Sequence, residues 1–300
     1  MTDLGTVGGV NSIALGINGS GQVAGFADSG GPVNLSHAYV YSNGSFTNLG
    51  TLPGCIESAA TGINSSGQVV GGSDNDTPSY SYAFLYSNGA MTSLRTLSGD
   101  NESLAYGINT NGQVVGISWD WTTGSNHPFL YSNGQMSNLG LPLGTPGSAM
   151  AINEKGLVVG SYTPAGGASQ AFIYGHGAVT GLGTAGFKTS YLDSLNNVGQ
   201  AVGAAASPAS NGVYLYHAIV YSDGAMTDLN NLVPSDCGWT LEMARGINDS
   251  GAIVGWGTDP AGQTEAFLLT PVPEPSTLAL LGIGAVSLLG YAWRWRTKAL

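Results

Sequence analysis

Apolar positions along this chain come in short bursts, and the bursts recur. A stretch such as "SLAYGIN" (103–109) is followed by a turn, then by "GQVVG" (112–116), a polar gap, and an aromatic run, "HPFLYSNG" (127–134). The valine-rich element appears six times: "GQVAG" (21–25), "GQVVG" (67–71), "GQVVG" (112–116), "GLVVG" (156–160), "GQAVG" (199–203) and "GAIVG" (251–255). The aromatic run also appears six times, as "HAYVYSNG" (37–44), "YAFLYSNG" (82–89), "HPFLYSNG", "QAFIYGHG" (170–177), "HAIVYSDG" (217–224) and a shortened "EAFLLT" (265–270). Asn18, Asn64, Asn109, Asn153, Asn196 and Asn248 mark the same point of each period, spaced 46, 45, 44, 43 and 52 residues apart. Self-similarity at this period signals a repeat architecture.

Each period predicts four short strands. Asn and Gly between strands one and two supply an Asx-turn and a positive φ. The Asn-Gly of "YSNGAMT" between strands three and four is a two-residue hairpin signal. In "AFLYS" both alternating faces are apolar, so the sheets should be covered on both sides. The glycine closing each "GQVVG" (Gly25, Gly71, Gly116, Gly160, Gly203, Gly255) is expected where sheets crowd an axis. Small four-stranded sheets of this kind predict an all-β fold, a six-bladed β-propeller. The opening "MTDLG" matches strand four "MTDLN" (226–230), and the last period stops after strand three. Residues 1–6 are therefore expected to complete the last sheet against 265–270 and close a ring spanning residues 1–270, leaving no exposed edge. Met1 aligns with Met91, Met136 and Met226, and no basic-then-apolar leader precedes the repeats, so the true start is expected upstream.

Composition narrows the function. Charged residues make up 8% of 300 and apolar residues 42%, enough for a core. Residues 1–270 hold four basic residues against 17 acids, a net charge of −13. Such a surface repels phosphate backbones, which argues against nucleic-acid binding. Cys55 and Cys237 form neither a metal-ligand pair nor a disulfide framework and read as free or structural.

The last 30 residues, 271–300, differ from the rest. Pro271, Pro273 and Pro275 form an extended linker. Ser276 to Trp293 is an 18-residue uncharged run, about 27 Å long as a helix and close to a bilayer core. Arg294, Arg296 and Lys298 follow, and by the positive-inside tendency they should stay cytoplasmic with the repeats outside.

Two resemblances carry these observations further. The repeats resemble the bacterial extracellular HAF repeat, through "HAYVYSNG", "YAFLYSNG", "AMTDL" and the six "GIN…GQVVG" elements. The tail resembles a PEP-CTERM sorting signal, also called the ice-binding protein C-terminal domain: a Pro-Glu-Pro box (Val272, Pro273, Glu274, Pro275), an apolar helix, and a basic end (Arg294, Arg296, Lys298). That resemblance implies an exosortase as partner. It implies a precursor anchored in the inner membrane of a Gram-negative-type bacterium through residues 276–293. Removal of the segment near the box and transfer to the cell surface or exopolysaccharide matrix would follow.

No catalytic constellation stands out. Glycosidic hydrolysis usually needs two carboxylates facing one pocket, and most acids here sit singly in loops. "NDSGAIVGW" (248–256) reads as a hairpin, not as a sialidase-type Asp box. His37, His127 and His217 share one repeat position but begin third strands far from the axis, so no metal site or cofactor is expected. The predicted links between strands two and three carry Tyr80, Trp119, Trp121, Tyr162, Tyr214 and Trp256, with Trp239 in an inter-blade loop. Of these, Tyr80, Trp119, Trp121, Trp239 and Trp256 are candidate sugar-stacking residues. The expectation is a non-catalytic exported surface or matrix protein with polysaccharide as candidate ligand. The alternative is a secreted propeller hydrolase or lyase acting on carbohydrate.

Overall fold

The computed structural model describes residues 4–6, 8–30, 35–75, 81–142, 145–209 and 212–271. The first sheet holds β1 (Ser12–Ile17), β2 (Val23–Asp28), β3 (Ser36–Ser42) and β4 (Ser45–Gly50); the second holds β5 (Glu57–Ile63), β6 (Val69–Asp74), β7 (Tyr82–Ser87) and β8 (Ala90–Arg95). The third holds β9 (Glu102–Ile108), β10 (Val114–Asp120), β11 (Ser125–Ser132) and β12 (Gln135–Asn138); the fourth holds β13 (Gly147–Ile152), β14 (Val158–Tyr162), β15 (Gln170–Gly175) and β16 (Ala178–Gly183). The fifth holds β17 (Thr189–Leu195), β18 (Ala201–Pro208), β19 (Tyr214–Ser222) and β20 (Ala225–Asp228), followed by a 3-10 turn; the sixth holds β21 (Thr240–Ile247), β22 (Ile253–Thr258) and β23 (Thr264–Leu269). Every sheet is an antiparallel meander in chain order. The fold is all-β and propeller-like.

Local chemistry explains the hairpins. Asn43, Asn88, Asn133, His176 and Asp223 all have φ near +50°, each followed by a glycine with φ near +80°. Both central residues of a type I′ turn need positive φ, which Asn, Asp and Gly tolerate best.

The recurrent glycine of strand two has a different cause from the crowded axis expected above. A Cβ on Gly25, Gly71, Gly116, Gly160, Gly203 or Gly255 would lie about 2 Å from a carbonyl oxygen of strand one in the same sheet. The register of strand one slips beside each contact, as between Ala60 and Gly62 or Leu192 and Ser194. The β-bulge turns that carbonyl towards strand two, and only glycine fits beneath it.

The core lies between sheets. Ala24, Ala38 and Leu49 of the first pack on Ala60, Val69 and Phe84 of the second, and residues at equivalent positions form the next three junctions. Polar bonds fix the same junctions. The amide of Asn18 donates to the Asn64 carbonyl at 2.9 Å, Asn64 to Asn109 at 2.9 Å, Asn109 to Asn153 at 3.1 Å, Asn153 to Asn196 at 3.0 Å and Asn196 to Asn248 at 3.0 Å. Each of these asparagines also caps its own turn through Oδ1, as Asn64 does with the N–H groups of Ser66 and Gln68.

The sixth sheet has three strands among the described residues. Of the expected closing strand, residues 1–3 lie outside the described residues and Leu4–Thr6 carry no strand. No packing comparable to the five junctions brings the sixth sheet back to the first among the described residues. The repeat body forms one compact unit, Met1–Leu268, and Leu269–Leu300 a separate one. The expected membrane helix, 276–293, lies outside the described residues; among those described, no helix is long and apolar enough to cross a membrane.

Candidate functional site

The aromatic candidates do not gather in one place. Tyr80 and the sorting-signal residues Val272, Pro273, Glu274, Pro275, Arg294, Arg296 and Lys298 lie outside the described residues. Trp119 and Trp256, expected in loops, are strand residues near the ends of β10 and β22. The strands run further than the loss of apolar alternation suggested, because ladder pairing continues through them: Trp119 pairs with Glu102 and Asn126, and Trp256 with Met243. Trp239 is half-buried just before β21. Trp121 opens the turn after β10 and is 58% exposed.

The third sheet brings the most chemistry to one end. Asp100, Asn101 and Glu102 enter β9 beside the exit of β10, where Trp119, Asp120 and Trp121 stand. Asn101 donates to Asp120 at 3.0 Å and accepts from the Trp121 backbone at 3.3 Å. Asp120 also accepts from the Thr122 and Thr123 hydroxyls. These bonds, led by Thr122, hold its carboxyl below the usual range. Glu102 is buried, and that burial raises its pKa; a hydrogen bond from Trp119 opposes the rise and the Asp74 charge adds to it. The Asp100 side chain is buried and meets His127 Nδ1 at 3.1 Å. Asp74, Asp100 and Asp120 are among the acids expected singly in loops, whereas the structure groups Asp100 and Asp120 with Glu102, on which the Asp74 charge acts. The signal for their grouping is periodic: each falls where strand one begins or strand two ends.

A cavity of about 280 Å³ opens on this side, lined by Asn126, His127, Asn138, Leu141, Thr145 and Pro146 among others. Its walls combine amide, hydroxyl and imidazole groups with apolar surface, a lining suited to an uncharged polar ligand. Two other surface cavities, beside Cys55 and Arg95 and beside Asn11 and Asp28, hold one acidic residue between them. None of the three is lined by two carboxylates.

The three repeat histidines have separate partners. His37 contacts the Ile56 carbonyl and Asn48, His127 meets Asp100, and His217 meets Asp228 at 2.6 Å. No group of three or more metal-ligating side chains occurs among the described residues. Cys55 and Cys237 are both free thiols.

On strand one, the sequence reading missed a pair. Arg245 on β21 bonds Asp193 on β17 at 2.9 Å. Burial raises the Asp193 pKa, and Arg245 offsets part of the rise. Burial also pushes the Tyr191 phenol up to about 12. The missed signal was position: Asp193 and Arg245 occupy the same repeat site in consecutive sheets.

No curated protein matches the chain. Among solved structures it is similar to the β-propeller domain of the Trilobed protease from Pyrococcus furiosus, described as having an open velcro topology. That likeness has a TM-score of 0.53 and 9% identity, covering 89% of this chain and 82% of that one. It is also similar to a Mycobacterium tuberculosis puromycin-hydrolyzing peptidase, with a TM-score of 0.52 and 12% identity over 88% of this chain and 44% of the peptidase. At these identities the likeness concerns the fold alone. Residues 271–296 match the PEP-CTERM protein-sorting motif, which implies recognition by an exosortase and export through that sorting system.

Proposed function

We propose that this chain is a non-catalytic exported protein, sorted by an exosortase to the cell surface or exopolysaccharide matrix of a Gram-negative-type bacterium. The sorting motif at 271–296 carries this reading. Residues 276–293 act as a temporary membrane anchor, with the basic end cytoplasmic and the repeats outside. Cleavage near Pro275 then frees a body with four basic residues. The end of the third sheet, with Trp121 exposed above amide and hydroxyl groups, is the surface offered to neutral polysaccharide.

Mass spectrometry of the mature protein from its native host tests the sorting. A C-terminus near Pro275 is expected; surface-located protein that retains Leu300 would overturn it. A glycan array tests the ligand. Trp121→Ala should weaken binding roughly tenfold, as loss of an aromatic anchor does; binding to no neutral glycan, or binding untouched by the change, would remove the polysaccharide role.

A second reading, a secreted hydrolase or lyase acting on carbohydrate, draws on the Asp74 charge acting on the raised Glu102. It requires polysaccharide cleavage that Glu102→Gln abolishes.

A further inference from the structure

The two ends of the repeat array carry mating faces, and among the described residues neither is covered as the internal ones are. At the leading end, Ala14 of β1 is exposed, whereas its five equivalents, Ala60, Ala105, Ala149, Leu192 and Ala244, are all fully buried under the preceding sheet. Ile13 and Ile17 beside it are 48% and 70% exposed. At the trailing end, Val254 of β22 is 48% exposed, while Ala24, Val70, Val115, Val159 and Val202 at the same position are fully buried. Ala266 of β23 is exposed where Ala38, Ala83, Ala171 and Ala218 are fully buried.

Within the chain, these positions cover each other. The residue types of Val254 and Ala266 in one sheet pack on those of Ala14 and Val23 in the next, as Val70 and Ala83 pack on Ala105 and Val114. The polar half of the junction is also waiting. Asn248 occupies the position from which five asparagines reach the next sheet, yet its side-chain amide has no acceptor among the described residues, while Asn18 presents the matching carbonyl. Ser58, Ser103 and Ser190 each accept from a strand-three N–H of the preceding sheet, at 2.8, 2.9 and 2.9 Å. Ser12 holds that position on β1, and Ala266 holds the donor position on β23.

From this we infer that the trailing face of one copy docks on the leading face of a second copy, head to tail, repeating the internal junction with the Asn248 amide on the Asn18 carbonyl. The five internal junctions share one bonding pattern, and with them in place no comparable packing joins the first and sixth sheets among the described residues. A second copy can use both faces without altering any junction. Such a heterologous contact leaves a free face at each end and so propagates, into a filament or into a ring of several copies. For a matrix protein that means assembly through its own fold; the contact itself does not depend on the sorting reading.

Light scattering of the full chain in detergent tests this, using Ala14→Arg and Val254→Arg. Both sites are exposed in the single copy, so both variants should fold, as circular dichroism checks. Wild type should form oligomers whose mass grows with concentration. Each variant alone should be monomeric, because one face of every contact is blocked. An equimolar mixture should give dimers and nothing larger, since each variant keeps one working face; association through the tail would not behave this way. A wild type that stays monomeric at every concentration, or association that neither change affects, would overturn the inference. A Ser12→Cys, Ala266→Cys double variant adds a second readout. Disulfides between chains support docking of copies, and a disulfide within a monomer shows a closed ring and overturns it.

Discussion

An internal junction and a terminal face are built from the same residue types at the same repeat positions, yet they sit in different solvents. Val114 is fully buried because the second sheet lies over it; Val23, at the same place in the first sheet, is half-exposed. The comparison separates what the repeat sequence dictates from what a neighbour supplies. The bulge, the glycine beneath it and the Asn turn form in every sheet, including the first and sixth. Burial of the alanine and valine positions depends on the next sheet. Secondary structure is therefore encoded within one period, whereas most of the stabilising burial is shared between two, as expected of quasi-one-dimensional arrays.

The largest contrast should come from one substitution made twice. Ala105→Arg puts a charge into a closed junction with no partner and should cost about 3–5 kcal/mol or prevent folding. Ala14→Arg, at the equivalent exposed site, should stay within about 0.5 kcal/mol. Urea unfolding of both variants checks the pair; equal losses would mean the first sheet is covered as the others are.

A smaller contrast concerns the asparagine ladder. Asn109→Ala removes a turn cap and an inter-sheet bond, whereas Asn248→Ala removes only the cap. Each bond contributes about 1 kcal/mol, so the first change should cost about 1 kcal/mol more than the second in the same unfolding assay. Equal costs would show that the ladder bond contributes nothing net.

The smallest effect distinguishes two strand-one neighbours by pH. Asp193 has a folded-state pKa above its unfolded value because burial outweighs the help of Arg245. Its contribution to stability is fully present below the unfolded pKa and is lost as pH rises through the folded one. The melting temperature of wild type relative to Asp193→Asn should therefore be highest in acid and fall towards neutral pH. A relative stability that rises over that interval would show that Arg245 dominates instead.

Much of this was legible in the sequence. The period, the four strands of the first five sheets and three of the sixth, and the Asn-Gly turns follow from short-range chemistry that each repeat states again. The reason for the strand-two glycine was not legible, because the carbonyl it avoids belongs to a bulge visible only once two strands are paired. The ends of β10 and β22 were read short, since Trp119 and Trp256 look like loop aromatics until ladder bonds are counted. The grouping at the end of the third sheet was not legible, because Asp100, Glu102 and Asp120 come from separate segments that only the meander brings together, and Asp74 acts on Glu102 from the second sheet. The matching of "MTDLG" to strand four pointed to complementary ends, and the structure adds that among the described residues the sheets at those ends are not covered as the internal ones are.

Hydrogen exchange tests that central difference most directly. The full chain, dilute in detergent, is compared at equivalent strands by mass spectrometry. The account predicts that β1 and β23 exchange much faster than β9 and β15, which carry the same sequence pattern inside closed junctions, and that the gap narrows as concentration rises. Uniform protection of all four strands at high dilution would mean that the ends already cover one another within a single chain, and would contradict the account.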